Sequence, residues 1–161
     1  MDFEDLAGFQ PDRQIGAVDG VVLIPPRVEP LHGLFPEPDE YHEYMGKTYV
    51  NPLQALRMVL DVQQFPKPFK IVIVNGLSSV CALPHYGAAN TMRLAWVGHS
   101  KSIALTLADQ GVRINTLSLG AVRTDSYIHK LQRKAEKNQR TYEEQVDHRN
   151  RQCSEWQVLN A

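Results

Sequence analysis

Three short apolar runs constrain this chain's fold more than any other feature: GVVLIP at 20–25, KIVIVNG at 70–76 and VRINTLSLG at 112–120. Each is rich in Val, Ile and Leu and ends at a turn residue. The first two are nearly continuous rather than alternating, the pattern of parallel strands buried on both faces. The stretches between them are long enough for helical crossovers. From Pro38 to Gln63, Tyr41, Tyr44, Met45, Tyr49, Leu53, Leu56 and Leu60 recur at roughly helical spacing. Pro52 is expected to kink or restart that helix, because proline lacks the backbone donor and crowds the preceding turn. The second crossover, 88–108, carries Met92, Trp96, Ile103 and Leu107 and stops near Gly111. The series β-α-β-α-β predicts an α/β fold with a short parallel sheet and right-handed helical crossovers.

The chain's 161 residues are the size of one domain, and 43% hydrophobic with 22% charged residues is ordinary globular composition. A formal net charge of −1 gives no general electrostatic reason to expect nucleic acid or an anionic membrane as partner. Two cysteines, Cys81 and Cys153, are too few for a disulfide framework, and the acidic start MDFEDLAGFQ is unlike a signal peptide. No apolar run approaches the roughly 20 residues needed to span a bilayer. These features predict a soluble, cytoplasmic protein. Its histidines, His32, His42, His85, His99, His129 and His148, fall at no metal-ligand spacing, so no metal site is expected.

Composition changes after the third run. From Tyr127 to Gln152 the chain is polar almost throughout, with Ile128, Leu131, Ala135, Tyr142 and Val146 as a thin apolar stripe. A solvated or partner-packed helix is expected there. Lys130, Arg133, Lys134 and Arg140 offer a weak alternative as a phosphate site, interrupted by Glu136, Glu143, Glu144 and Asp147. The domain reading is 1–125 for the α/β unit, with 1–19 as an N-terminal segment, and 126–161 for a polar helical extension.

In an open parallel sheet, ligands bind beyond the carboxyl ends of the strands. Those ends hold Arg27, Ser78, Ser79, Arg123, Thr124 and Asp125. The plainer role for Ser78 and Ser79 is to satisfy loop backbone groups, as serines often do.

The run KIVIVNGLSSV followed by WVGHSKSIALTLADQGVRINTLSLGAVRTD resembles the later half of the short-chain dehydrogenase/reductase family. KTYVNPLQALRMVL is similar to that family's helix carrying a structural asparagine, here Asn51. The resemblance spans about Gly20 to Tyr127 and implies a Rossmann-like three-layer fold, in truncated form. It further implies a tyrosine that moves a proton, a lysine that lowers the tyrosine's pKa and holds the cofactor ribose, a serine on the substrate oxygen, and the asparagine. An unperturbed tyrosine titrates near 10, so the chemistry needs that lysine. Asn51 matches the asparagine, and Ser78 or Ser79 the serine. In the ungapped register through GHSKSIAL, Ala89 stands at the tyrosine position and Arg93 at the lysine position. If Tyr86 is the tyrosine, Asn90 replaces the lysine and three residues must be inserted, which would rotate the helix's apolar face out of phase. The ungapped register is preferred.

The family's glycine-rich turn before a helix, which receives the cofactor pyrophosphate, has no counterpart in this sequence. The strand at 20–25 resembles the family's fourth, so the first three strands are taken as absent. The cofactor-contacting positions that the resemblance suggests are Arg93, Gly120 and Thr124. Thr124 and Asp125 also suit a helix cap. No cofactor is expected within this chain alone, NAD or NADP being the candidate. The strand at 20–25 needs something to cover its edge. An oligomer, homo- or hetero-, is expected through the helices near 38–63 and 88–108, with a full-length family member as one candidate partner. Two functions follow: a non-catalytic binding or assembly subunit, or an NAD(P)-dependent oxidoreductase of a carbonyl or alcohol using Tyr86, Ser79 and Asn51.

Overall fold

The computed structural model describes residues 18–31, 33–63, 68–120 and 122–159. His32, the side chain of Cys153 and most of the expected N-terminal segment lie outside that description. Three strands, β1 (Gly20–Leu23), β2 (Phe69–Gly76) and β3 (Val112–Leu119), form a parallel sheet in the order β1-β2-β3. The first strand is shorter than the apolar run that announced it. Pro25 and Pro26 follow Ile24, and a proline cannot donate to the ladder.

Alternate residues of each strand share a face. Leu23, Phe69, Ile71, Ile73, Val112 and Ile114 make one buried layer, each no more than 9% exposed. Leu56 and Trp96 pack onto it from the two crossovers, and are 1% and 2% exposed. Both crossovers therefore lie on the same side. Right-handed connections in a sheet whose strand order never reverses place them there.

The first crossover comprises α1 (Pro38–Met45), a π-helical turn (Gly46–Val50) and α2 (Asn51–Val62). The kink expected at Pro52 takes the form of that π turn, and its cause is visible. Pro52 has no N–H to give the Thr48 carbonyl one turn back. The indole Nε1 of Trp96 donates to that carbonyl instead, at 3.0 Å. Tyr49 meets Trp96 edge-on, centroids 5.2 Å apart, and its hydroxyl lies 2.7 Å from His99 Nδ1. The second crossover, α3 (Gly87–Leu107), ends in a 3-10 turn, with Gly111 at φ 83°. Trp96 and Met92, on a helix expected to take part in assembly, are core residues of this chain.

The single polar helix expected over 127–152 is two: α4 (Asp125–Lys137) and α5 (Tyr142–Leu159). A Thr-x-x-Glu capping box starts the second. Thr141 N–H donates to Glu144 Oε2 at 2.8 Å, and Glu144 N–H to Thr141 Oγ1 at 3.2 Å. Between the helices Gln139 adopts φ 53°, and Asn138 Nδ2 donates to Gln145 Oε1 at 2.9 Å. The thin stripe is used locally, with Leu131 and Ala135 buried where α4 and α5 meet.

Candidate functional site at the carboxyl end of β2

Strand β2 delivers an inward residue at every second position: Phe69, Ile71, Ile73, then Asn75. Asn75 is 8% exposed, and its side chain ties the strand end to α3. Nδ2 donates to the Arg93 carbonyl at 2.8 Å, while Oδ1 accepts from Gly76 N–H at 2.9 Å. Arg93 is thereby held above the strand end. A Cβ on Gly76 would stand 2.6 Å from the guanidinium carbon, so a larger residue there would push the guanidinium aside. From there Arg93 Nη1 donates to Ser78 Oγ at 2.8 Å.

The two serines do different work. Ser78 is 1% exposed and accepts from Arg93. Ser79, 3% exposed, donates its hydroxyl to the Gly76 carbonyl at 2.7 Å. A hydroxyl has one proton to give. The 2.7 Å contact between Ser79 Oγ and Ser118 Oγ is therefore donated by Ser118, the register partner of Asn75 on β3.

Ala89, one turn before Arg93 on α3, is 4% exposed. It brings no ionisable group. Tyr86 is the N-cap residue of α3, half-buried and paired through its backbone with Gly33. His85 before it adopts φ 62° and is exposed. Asn90, the lysine substitute if Tyr86 were the acid, is committed elsewhere. Its side chain accepts from Leu83 N–H at 3.2 Å and donates to the Leu83 carbonyl at 2.9 Å, pinning the loop before the helix. Asn51 opens α2 directly after the π turn.

Arg93, Gly120 and Thr124 are not engaged as a set. Arg93 is bonded to Ser78. Thr124 is the N-cap of α4, its Oγ1 accepting from Tyr127 N–H at 3.2 Å. Gly120 is exposed, with no heavy atom within 4 Å of where a Cβ would stand. Arg27, Arg123 and Asp125 are also exposed. No group of three or more His, Cys, Asp or Glu suited to a metal ion occurs among the described residues. No described helix is long and apolar enough to cross a membrane.

In the sequence Tyr44 stands only in an apolar stripe, and no motif marks Asn75 or Ser118. The one available signal was for Asn75, a polar residue on the inward period of β2. Tyr44 is half-buried, and burial raises its pKa above 10.0 although the positive charge of Arg93 opposes the rise. Burial also raises that of Tyr49. A phenol whose folded-state pKa lies above its unfolded value contributes stability that is present below pH 10 and lost as pH climbs through the folded pKa. Stability should therefore fall above about pH 10, and Tyr49→Phe should flatten that decline in urea unfolding measured from pH 8 to 11. An unchanged slope in the variant would show that Tyr49 does not contribute to it.

Residues 36–157 match the family model described as enoyl-(acyl carrier protein) reductase. Over 54 residues the chain is 39% identical to dehydrogenase/reductase SDR family member 4 of Bos taurus, covering 34% of this chain and 19% of that protein. Among solved structures, sorbitol-6-phosphate 2-dehydrogenase of Erwinia amylovora superposes with a TM-score of 0.70 at 21% identity, covering 89% of this chain and 59% of that one. The NADPH-bound short-chain oxidoreductase of Pseudomonas aeruginosa PAO1, which contains an atypical catalytic center, gives 0.63 at 20% identity over 78% of this chain and 48% of that one. The chain spans about half the length of these solved proteins, and likeness at such identity speaks to the fold alone.

Proposed function

We propose, from the premise that this chain belongs to the short-chain dehydrogenase/reductase family, that it is a non-catalytic binding or assembly subunit acting in an oligomer. One observation carries the reading: the Arg93 cation is engaged internally. Arg93 bonds Ser78 and fills the space above Gly76, and the residue one turn earlier is a buried alanine. Proton transfer at a carbonyl or alcohol needs a group that releases and regains a proton near working pH. A guanidinium stays protonated and an alanine has no proton to move.

Among the described residues no glycine-rich turn stands ready for a dinucleotide. Its pyrophosphate is ordinarily received by backbone amides at a glycine-lined helix start. Here α1 begins at Pro38, α2 with Asn51-Pro52, α3 at the single Gly87 and α4 behind a threonine cap. Of the suggested contacts, Arg93 and Thr124 are already bonded within the chain. Assembly through the helices near 38–63 and 88–108 is supported by the outer side of α3, where Leu94 and Leu105 are 54% and 84% exposed.

A second reading rests on the hydroxyls retained at the same strand end. Ser79, bonded to Ser118, would serve with Tyr86 and Asn51 in an NAD(P)-dependent oxidoreductase whose nucleotide site is rebuilt or completed by another chain. An oxidoreductase with an atypical catalytic center stands among the chain's structural neighbours.

Fluorescence titration with NADPH and NADH separates the two. The subunit reading expects the purified chain to bind neither more tightly than about 1 mM. Micromolar binding that Arg93→Met abolishes would replace it with the oxidoreductase.

A further inference from the structure

Helix α4 carries a basic face that neither reading of the strand end uses. Lys130, Arg133, Lys134 and Lys137 recur at the i, i+3, i+4, i+7 spacing of one helical face. In the sequence Glu136, Glu143, Glu144 and Asp147 interrupt the basic run, but on the helix Glu136 falls outside that arc and the other three belong to α5. None of the four cations has a carboxylate partner among the described residues. Lys134 and Lys137 suit the last turn, where the helix dipole favours positive charge. Lys130 and Arg133 lie before that turn, and each faces a like charge at i+4, which repels it. An anionic surface relieves that repulsion. The same chain carries one. Glu37, Asp39 and Glu40 are exposed at the start of α1, and none meets a cation among the described residues, whereas Glu43 pairs with Lys47 at 2.8 Å. Just before them Leu34 and Phe35 are 65% and 92% exposed, on a loop where Gly33 N–H donates to the His85 carbonyl at 3.1 Å and Pro36 and Pro38 stiffen the backbone.

We infer that the basic face of α4 docks the acidic 35–40 segment of a second copy of this chain. The inference rests on the oligomer reading above and names its surface. Within one chain α1 packs on the π turn and α3, and α4 packs on α5. Both charged surfaces are left for a partner. Charge and shape favour a second copy over a nucleic acid. A net charge of −1 gives no field that gathers a phosphodiester chain. An aromatic ring beside three carboxylates suits lysine and arginine, whose stems accept apolar contact and whose cations sit over ring faces. Exposed ion pairs are individually weak, so the charges select the partner and the direction of docking while Phe35 supplies buried apolar area. About a two-fold axis each copy offers its α1 to the other's α4, so the contact is made twice.

Sedimentation velocity of the full chain should show a dimer at about 50 mM salt that weakens at about 500 mM. Two charge-reversed variants test the contact from either side: Lys130→Glu with Arg133→Glu, Lys134→Glu and Lys137→Glu, and Asp39→Lys with Glu40→Lys. Each should self-associate at least roughly tenfold more weakly, with circular dichroism checking that both fold. Mixed one to one they should dimerise again, because each then offers the charge that the other meets. A wild-type chain still monomeric at about 100 μM, a dimer that neither reversal weakens, or variants that stay apart when mixed would overturn the inference. So would a monomer that binds an RNA of about 20 nucleotides through the same four cations, which would assign the face to phosphate. A dimer that passes the mixing test while retaining NADPH would sink the non-catalytic reading and leave this contact standing, so the two fail separately.

Discussion

Trp96→Ala is expected to lower the unfolding free energy by about 3–5 kcal/mol, the usual cost of emptying a fully buried aromatic site. The side chain is 2% exposed and joins the buried layer of the sheet to the first crossover. Part of the loss is polar. Trp96→Phe keeps most of the volume but leaves the Thr48 carbonyl without its indole donor, a cost of about 1–3 kcal/mol for a buried unsatisfied group. Pro52 makes that donor necessary, so the two residues should be coupled. Pro52→Ala supplies a backbone N–H one turn on from Thr48, and in that background Trp96→Phe should cost measurably less. Urea unfolding of the four proteins gives the coupling directly. Strict additivity would mean that the indole bond does not stand in for the missing amide.

Arg93→Met is expected to cost roughly 1.5–3 kcal/mol, the range for a hydrogen bond to a charged group, because its guanidinium holds the buried Ser78 hydroxyl. The sign is the informative part. A cation kept for a ligand, held in the empty protein without full compensation, often stabilises the fold when removed. Ser78→Ala should destabilise by a similar amount, and the double variant by less than the sum, since both remove one bond. Gly76→Ala gives a third view. Its added methyl would displace the guanidinium while leaving Arg93 and Ser78 chemically intact. If Arg93→Met proves neutral or stabilising, Arg93 is not an internal latch and the oxidoreductase reading gains.

Most of the sheet could be read from local sequence, because continuous Val/Ile/Leu runs between turn residues report burial without reference to distant partners. β3 ends within one residue of its expected end, whereas the first run was read two residues too long through Ile24 and Pro25. The π turn was not legible. It depends on an indole arriving from a helix 48 positions away to replace a donor that Pro52 lacks. The split between α4 and α5 was legible in principle, since TYEE at 141–144 carries the capping-box pattern.

At the site, the register that sets Ala89 and Arg93 on one face of α3 follows from helical period alone. The partners do not. Asn75 meets Arg93 from 18 residues away, and Ser118 meets Ser79 from 39. Asn90 shows the opposite error: counted along the helix from Tyr86 it falls where a partner should be, yet both ends of its amide bind Leu83. Spacing gives proximity along one element, and only packing tells which backbone group competes for the side chain.

Native mass spectrometry of the protein isolated from its own host tests the central claim most directly, because stoichiometry, partner mass and retained nucleotide are read together. The expected result is an oligomer in which no NAD or NADP is carried by this chain. A monomer retaining one dinucleotide per chain would contradict the account, since Arg93 could not then be the internal latch of a non-catalytic subunit.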